Sequence, residues 1–199
     1  MYRLPLFDHR VLDLTTTPAG AYTTRLLGDL GAEVVLLEAA ERTGHADLYV
    51  NKYSAAIDVA AAKGRTAMLK LIAGSDIVVY DRPIGADYAD LKAANGRIIA
   101  LALPPDGNAG TAVAAAGAVG LALWDQRRTG GGSLIELRSP PAVAIAAAPE
   151  VGTFEPVSSS EGVRDVRSPH WRLSETPLHV RLPAPQRGEH DEYVQRLLG

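Results

Sequence analysis

The chain has 199 residues, of which 47% are hydrophobic and 22% charged, so it carries enough apolar content for a core and is not a disordered tail. It has no cysteine, which excludes disulfide frameworks and thiolate metal sites. A net charge of -3 supplies no basic footprint for nucleic acid.

In chain order, Val11-Leu12-Asp13-Leu14 reads as a short strand that breaks into Thr15-Thr16-Thr17-Pro18, a helix entry. Residues 19–30 follow with helical spacing and end at Gly31. Residues 34–37 read as a buried strand with Glu38 at its carboxyl end, and 55–59 as a third strand. Residues 63–73, 87–94 and 109–128 read as helices, the last of them Ala-rich and stopped by Gly130-Gly131-Gly132. Residues 77–80, 98–101 and 134–137 read as strands. Strands alternating with helices predict an α/β fold, a Rossmann-like, mostly parallel sheet with helices on both faces. In such sheets ligands bind beyond the carboxyl ends of the strands. The candidate face therefore holds Thr15 to Pro18, Glu38, Tyr80 to Pro83 and Pro104 to Gly107.

After residue 138 the composition turns to Pro, Ser and Arg with weak periodicity, which predicts an extended linker or tail. Residues 189–198 read as a short last helix with Tyr193, Leu197 and Leu198 facing inward. The amino terminus shows no apolar signal core. The longest apolar run, Ala109 to Trp124, is shorter than the roughly 18 residues of a membrane-spanning helix. A cytoplasmic protein with no membrane or nucleic-acid partner is expected.

Motifs for dinucleotide, P-loop, metalloprotease and serine-hydrolase chemistry are absent, and the histidines are scattered, so no metal site is expected. The remaining candidates are charged residues at strand ends. Asp106, in Pro104-Pro105-Asp106-Gly107, is either an acyl-attacking carboxylate near a helix amino terminus or a turn or capping aspartate. Arg82 and Lys52 are each either phosphate-pairing cations or solvated surface charges.

An ordered series of motifs then resembles one family. Val11-Leu12-Asp13-Leu14, Ala19-Gly20, Leu26 to Val34 and Glu38 are similar to the amino-terminal signature of the class III CoA-transferases. That family includes formyl-CoA and carnitine CoA-transferases and alpha-methylacyl-CoA racemases. Asn51-Lys52-Tyr53-Ser54, Lys63-Gly64-Arg65, Asp76 to Val79 with Arg82-Pro83, Leu91 to Asn95 with Arg97-Ile98-Ile99, and Arg128-Thr129-Gly130 continue the match. Arg172-Leu173-Ser174, Thr176-Pro177, Pro183-Ala184-Pro185 and Gly188-Glu189-His190 resemble the family's closing run.

The resemblance implies transfer of CoA between carboxylic acids through acyl-anhydride and aspartyl-CoA intermediates, with CoA or acyl-CoA as ligand and no covalently bound cofactor. It implies Lys52, Arg82 and Pro18 as CoA contacts. The sequence departs from the family in four places. The G-F-G-x-x-G-P segment has no counterpart, and residues 139–168 stand as a linker where the family has a second domain. The catalytic aspartate, counted back without a gap from Arg128-Thr129-Gly130, falls on Gly107, so Asp106 is the nearest carboxylate. Tyr80-Asp81 replaces Asn-Phe, and Asp81 is expected to oppose a phosphate-rich ligand. The implied organisation is an α/β domain over 1–138, the linker, and a tail over 169–199 packing back on that domain. Three functions stay open: a transferase using Asp106, a non-catalytic CoA-binding or partner-binding module, and a subunit of a longer paralogue. The implied assembly is a homodimer or a hetero-oligomer.

Overall fold

The computed structural model describes residues 3–40, 45–138, 154–159, 162–169, 176 and 178–199. Its strands are β1 (Arg10–Asp13), β2 (Glu33–Leu37), β3 (Lys52–Ala55), β4 (Ile77–Tyr80), β5 (Ile99–Ala102) and β6 (Ser133–Glu136), with β7 (Phe154–Ser159) and β8 (Gly162–Arg167) further on. Its helices are α1 (Pro18–Asp29), α2 (Ala62–Ala73), α3 (Tyr88–Ala94), α4 (Ala109–Thr129) and α5 (Asp191–Leu198). The first six strands form one all-parallel sheet in the order β3-β2-β1-β4-β5-β6. Chain order reverses between β1 and β4, and that switch point is where loops diverge and open a crevice.

Alternation along the strands divides the core into two layers. Val11, Val34, Ile77, Val79, Ile99 and Leu101 pack with Leu26 and Leu27 of α1 and with Ala115, Ala116, Val119 and Leu123 of α4. Leu12, Val35, Val78 and Ala100 face the opposite way, against Met68, Leu71 and Ile72 of α2, Leu91 of α3 and Val194 of α5. Every one of these strand residues is fully buried, as a parallel sheet covered on both faces requires.

Local chemistry sets the helix ends. Thr17 caps α1, its hydroxyl accepting from the Gly20 N–H at 3.2 Å, and Pro18 occupies the first helical position, where no N–H is needed. At Gly20 a Cβ would lie 2.4 Å from the Thr15 Cβ, so the chain turning off β1 meets α1 only because that side chain is missing. Asp87 and Asp90 form a capping box on α3. Asn108 and Thr111 form another on α4, which stops at Gly130 in a left-handed conformation.

Most elements fall within one or two residues of the sequence expectation. The third strand does not: it spans Lys52–Ala55 rather than 55–59. Lys52 pairs in register with Val34 and its side chain is wholly buried, so a charged residue opens a core strand. The linker expectation over 139–168 is also changed. Its described part holds the antiparallel β7–β8 ribbon, whose Val157 and Val166 pack with Val50. Residues 139–153 and the Arg172-Leu173-Ser174 motif lie outside the described residues.

Residues 178–199 run back along the edge of the sheet formed by β3. Asn51 is the pivot, with φ 60, a left-handed conformation that asparagine tolerates. Its side-chain oxygen accepts from the Arg181 and Leu182 N–H groups at 2.6 and 2.9 Å, and its amide donates to Asp29 at 2.7 Å. Further on, the His190 N–H donates to the Ser54 carbonyl, and the Ser54 N–H donates to His190 Nδ1. The backbone groups of this edge strand thus find partners in the tail. Val194 of α5 is fully buried; Tyr193, Leu197 and Leu198 pack around it but remain partly exposed.

Candidate functional site

The loops after β1, β4 and β5 lie at the carboxyl edge of the sheet, the first two at its switch point. The Asp81 carboxylate, next after β4, crosses to the loop after β1. It accepts from the Thr16 N–H at 2.9 Å, the Thr17 N–H at 2.7 Å and the Thr17 hydroxyl at 2.7 Å. Asp81 is only 5% exposed. This corrects the expectation that Asp81 faces an incoming ligand: its charge is spent on these donors and holds the entry to α1. The loop N–H groups before α1, a ready position for a phosphate in such folds, already hold the protein's own carboxylate.

Arg82 follows directly. It is half-buried, and its Nε is fully buried with no hydrogen-bond partner among the described residues. A buried guanidinium N–H without an acceptor is costly. Tyr80, at the end of β4, is pushed above its ordinary value by burial and then by Glu136. It therefore brings no negative charge to the loop that carries Arg82 at neutral pH. Pro18 is exposed at the start of α1 on the same edge of the sheet.

The loop after β5 carries Asp106 and Gly107. Asp106 is an exposed turn residue, and the cap of α4 is Asn108. Gly107 is the position hemmed in by α1 and α4. A Cβ there would lie 3.2 Å from the Ala19 Cβ and from the Thr111 Cγ2, and 3.3 Å from the Pro104 carbonyl. These contacts are tight, so a side chain at Gly107 would press on α1 and α4.

Lys52 is not part of this group. Its side chain is wholly buried beneath α1, and Nζ donates to Asp13 Oδ2 at 2.9 Å, the Ala21 carbonyl at 2.9 Å and the Thr24 hydroxyl at 2.7 Å. An ammonium has three protons, and these three acceptors use them all. Asp13 in turn accepts from Thr24 and, through its other oxygen, from the Thr15 N–H and hydroxyl. The expectation that Lys52 holds a nucleotide phosphate is corrected by this geometry: its charge fastens β3 and α1 to β1. Buried Arg25 and Asp29 behave alike, paired at 2.7 Å. Glu38 is buried and accepts from the Ser54 hydroxyl, which itself accepts from the Gly188 N–H.

Sequence reasoning thus places Pro18, Arg82 and Asp106 on one edge of the sheet and misplaces Lys52. It also misses the partners of Asp81. The run of three threonines was a usable signal, because N–H and hydroxyl donors in series attract a carboxylate.

The sheet order β3-β2-β1-β4-β5-β6, all parallel with helices on both faces, defines a doubly wound α/β architecture. Residues 6–110 match CoA-transferase family III, and the chain belongs to that family. It is 33% identical over 113 residues to the CoA-transferase/lyase DddD of Marinomonas sp. (strain MWYL1), covering 51% of this chain and 14% of that protein. It is 32% identical over 126 residues to the probable CoA-transferase Rv1866 of Mycobacterium tuberculosis, covering 53% of this chain and 16% of that one. The matched region is thus a small part of both relatives. Among solved structures, a CAIB/BAIF family protein from Brucella suis superposes with a TM-score of 0.73 at 15% identity, covering 100% of both chains, a likeness of fold. No described helix is long and apolar enough to cross a membrane.

Proposed function

We propose that this chain binds CoA or an acyl-CoA at the carboxyl edge of its sheet, with Arg82 as cationic anchor, and performs no covalent transfer from its own residues. The observation that carries the reading is the buried Arg82 Nε with no partner among the described residues, on the edge where ligands of this architecture bind. Pro18 supplies an apolar contact beside it. Family membership supplies the ligand class. Against covalent chemistry stands Gly107, tightly surrounded where the resemblance puts the nucleophile.

A second reading keeps transferase activity with Asp106 as nucleophile, because that carboxylate is exposed one residue from the family position. In that reading an Asp106 oxygen attacks the acyl carbonyl and expels CoA thiolate, leaving a mixed anhydride. The thiolate then attacks the Asp106 carbonyl, forming an aspartyl thioester and releasing the first acid as its carboxylate. An incoming carboxylate attacks that thioester, expelling the thiolate and forming a second anhydride. Attack of the thiolate on the incoming acyl carbon yields the new acyl-CoA and regenerates Asp106.

Incubation with acetyl-CoA followed by hydroxylamine separates the two readings. The first predicts no aspartyl hydroxamate by mass spectrometry in the parent chain or in Asp106→Ala. A hydroxamate on Asp106 that disappears in Asp106→Ala establishes the second.

A further inference from the structure

The outer edge of β3 is closed by side chains at positions where a further strand would bring backbone carbonyls. The Ser54 N–H donates to His190 Nδ1 at 3.2 Å, and the Ala56 N–H donates to Asp191 Oδ1 at 2.7 Å. In return the His190 N–H donates to the Ser54 carbonyl at 2.8 Å, and the Gly188 N–H to the Ser54 hydroxyl at 2.9 Å. His190 is the cap residue of α5, but its ring makes no capping bond to its own helix and turns to the strand instead. An edge strand needs its N–H groups answered. Here one answering group is an imidazole, which gains a proton close to neutral pH and then has no acceptor left.

A ring nitrogen that accepts an N–H carries no proton, so the docked tail holds His190 neutral, with its proton on Nε2. A proton added at Nδ1 sets two N–H groups against each other across 3.2 Å and takes this acceptor from the Ser54 N–H. The positive amino end of α5 opposes the same protonation. Among the described residues, Tyr53 meets the ring edge-on at 5.0 Å, and Tyr193 packs on the far part of Tyr53. The charged groups nearby are the carboxylates of Glu38, Glu189, Asp191 and Glu192 and the Arg187 guanidinium. Glu38 accepts from the Ser54 hydroxyl, Glu189 from the Gln186 N–H and Asp191 from the Ala56 N–H; Glu192 is exposed. Arg187 donates to the Ala39 carbonyl. The carboxylates favour an imidazolium, but three of them already accept donors and the fourth faces water. The clash at Nδ1 is a direct contact, and it decides the sign.

The other anchor of the tail has no such dependence. Asn51 holds the Arg181 and Leu182 N–H groups through an amide oxygen, at 2.6 and 2.9 Å, and an amide does not titrate. The tail is fastened at one end by a group indifferent to pH and at the other by one that responds to it.

We infer that residues 188–198 form an acid-released strap: protonation of His190 detaches α5 from the edge of β3 while Arg181 and Leu182 stay bound to Asn51. The docked strap excludes the His190 proton and the released strap accepts it. Docking is therefore complete above the ordinary imidazole value of about 6.5 and weakens as pH falls through it. Release uncovers the Ser54 and Ala56 N–H groups and the α2 side chains that pack with Val194. The inference is independent of the CoA-binding reading and uses none of its residues.

Amide hydrogen exchange of the full chain, followed by NMR at about pH 7.5 and about pH 5.5 and corrected for intrinsic rates, tests it. Protection of the Ser54, Ala56 and Val194 amides should fall about tenfold at the lower pH, while that of Leu12 and Leu182 holds. His190→Asn sets a non-titrating oxygen near the Nδ1 position and should keep the protection at both pH values. His190→Ala should lose it at both. Equal protection of Ser54 in the parent at the two pH values overturns the inference. So does a fall of the same size in His190→Asn, which assigns the response to another group such as Asp191, or a fall shared by Leu12 and Leu182, which is general acid unfolding.

Discussion

The two halves of the sheet treat their charges differently. On the β3-β2-β1 side, Lys52, Asp13, Arg25, Asp29 and Glu38 are all buried and all paired. On the β4-β5-β6 side, Asp81 is buried and bonded across to Thr16 and Thr17, but Arg82 holds a buried N–H without a partner among the described residues, and Asp106 stands at the surface. The first half uses charge to join strand, helix and tail; the second holds the group that an anion could still satisfy. A lysine and an arginine that look equally ready for phosphate in the sequence have different surroundings: Lys52 Nζ meets three acceptors, and Arg82 Nε meets none among the described residues.

The largest expected effect comes from breaking the first half. Lys52→Ala leaves Asp13 as an uncompensated buried charge and should cost about 3–5 kcal/mol in urea unfolding. Lys52→Met with Asp13→Asn removes both charges, keeps an amide oxygen to accept from the Thr15 N–H and hydroxyl, and should recover part of that loss, which a phosphate-binding role for Lys52 does not predict.

Asn51→Ala comes next. It removes three hydrogen bonds that join α1 to the tail and should cost about 2 kcal/mol, with faster proteolysis after Arg181. Asp81→Ala is smaller, about 1–2 kcal/mol, because the freed donors of the partly exposed threonine loop can turn to water. It sharpens the comparison by vacating the loop before α1, so affinity for CoA should rise rather than fall.

The smallest effect is a pH dependence of the tail. The Tyr193 hydroxyl, pushed up to about 12 by burial and by its 2.6 Å hydrogen bond to Glu33, stays neutral longer in the fold than in the unfolded chain, where its value is near 10.0. A raised value means the contribution is complete below pH 10 and is lost as pH climbs towards 12. Tyr193→Phe should flatten the alkaline part of the stability curve measured by thermal melting.

What could be read from the sequence follows from the range of the interactions. Apolar runs such as Ile77 to Tyr80 and stops such as Gly130 are local, and they locate strands and helix ends within a residue or two. The third strand was misplaced because Lys52 looks like a surface residue until Asp13, 39 positions earlier, is seen beneath α1. The β7–β8 ribbon escaped notice because Pro156 interrupts one strand, and its inward Val157 and Val166 depend on Val50 far away. Chain order alone puts Pro18, Arg82 and Asp106 together at the carboxyl edge of the sheet, after β1, β4 and β5. The pairing of Asp81 with Thr16 and Thr17, across 65 and 64 positions, was beyond any local pattern.

Isothermal titration of CoA into the parent chain, Arg82→Ala and Lys52→Met/Asp13→Asn tests the central claim most directly. The account predicts binding to the parent, at least tenfold weaker binding to Arg82→Ala, and parent-like binding to the Lys52 double variant once its fold is verified by circular dichroism. Loss of binding in the folded Lys52 variant with Arg82→Ala unaffected, or no heat from the parent at millimolar CoA, contradicts it.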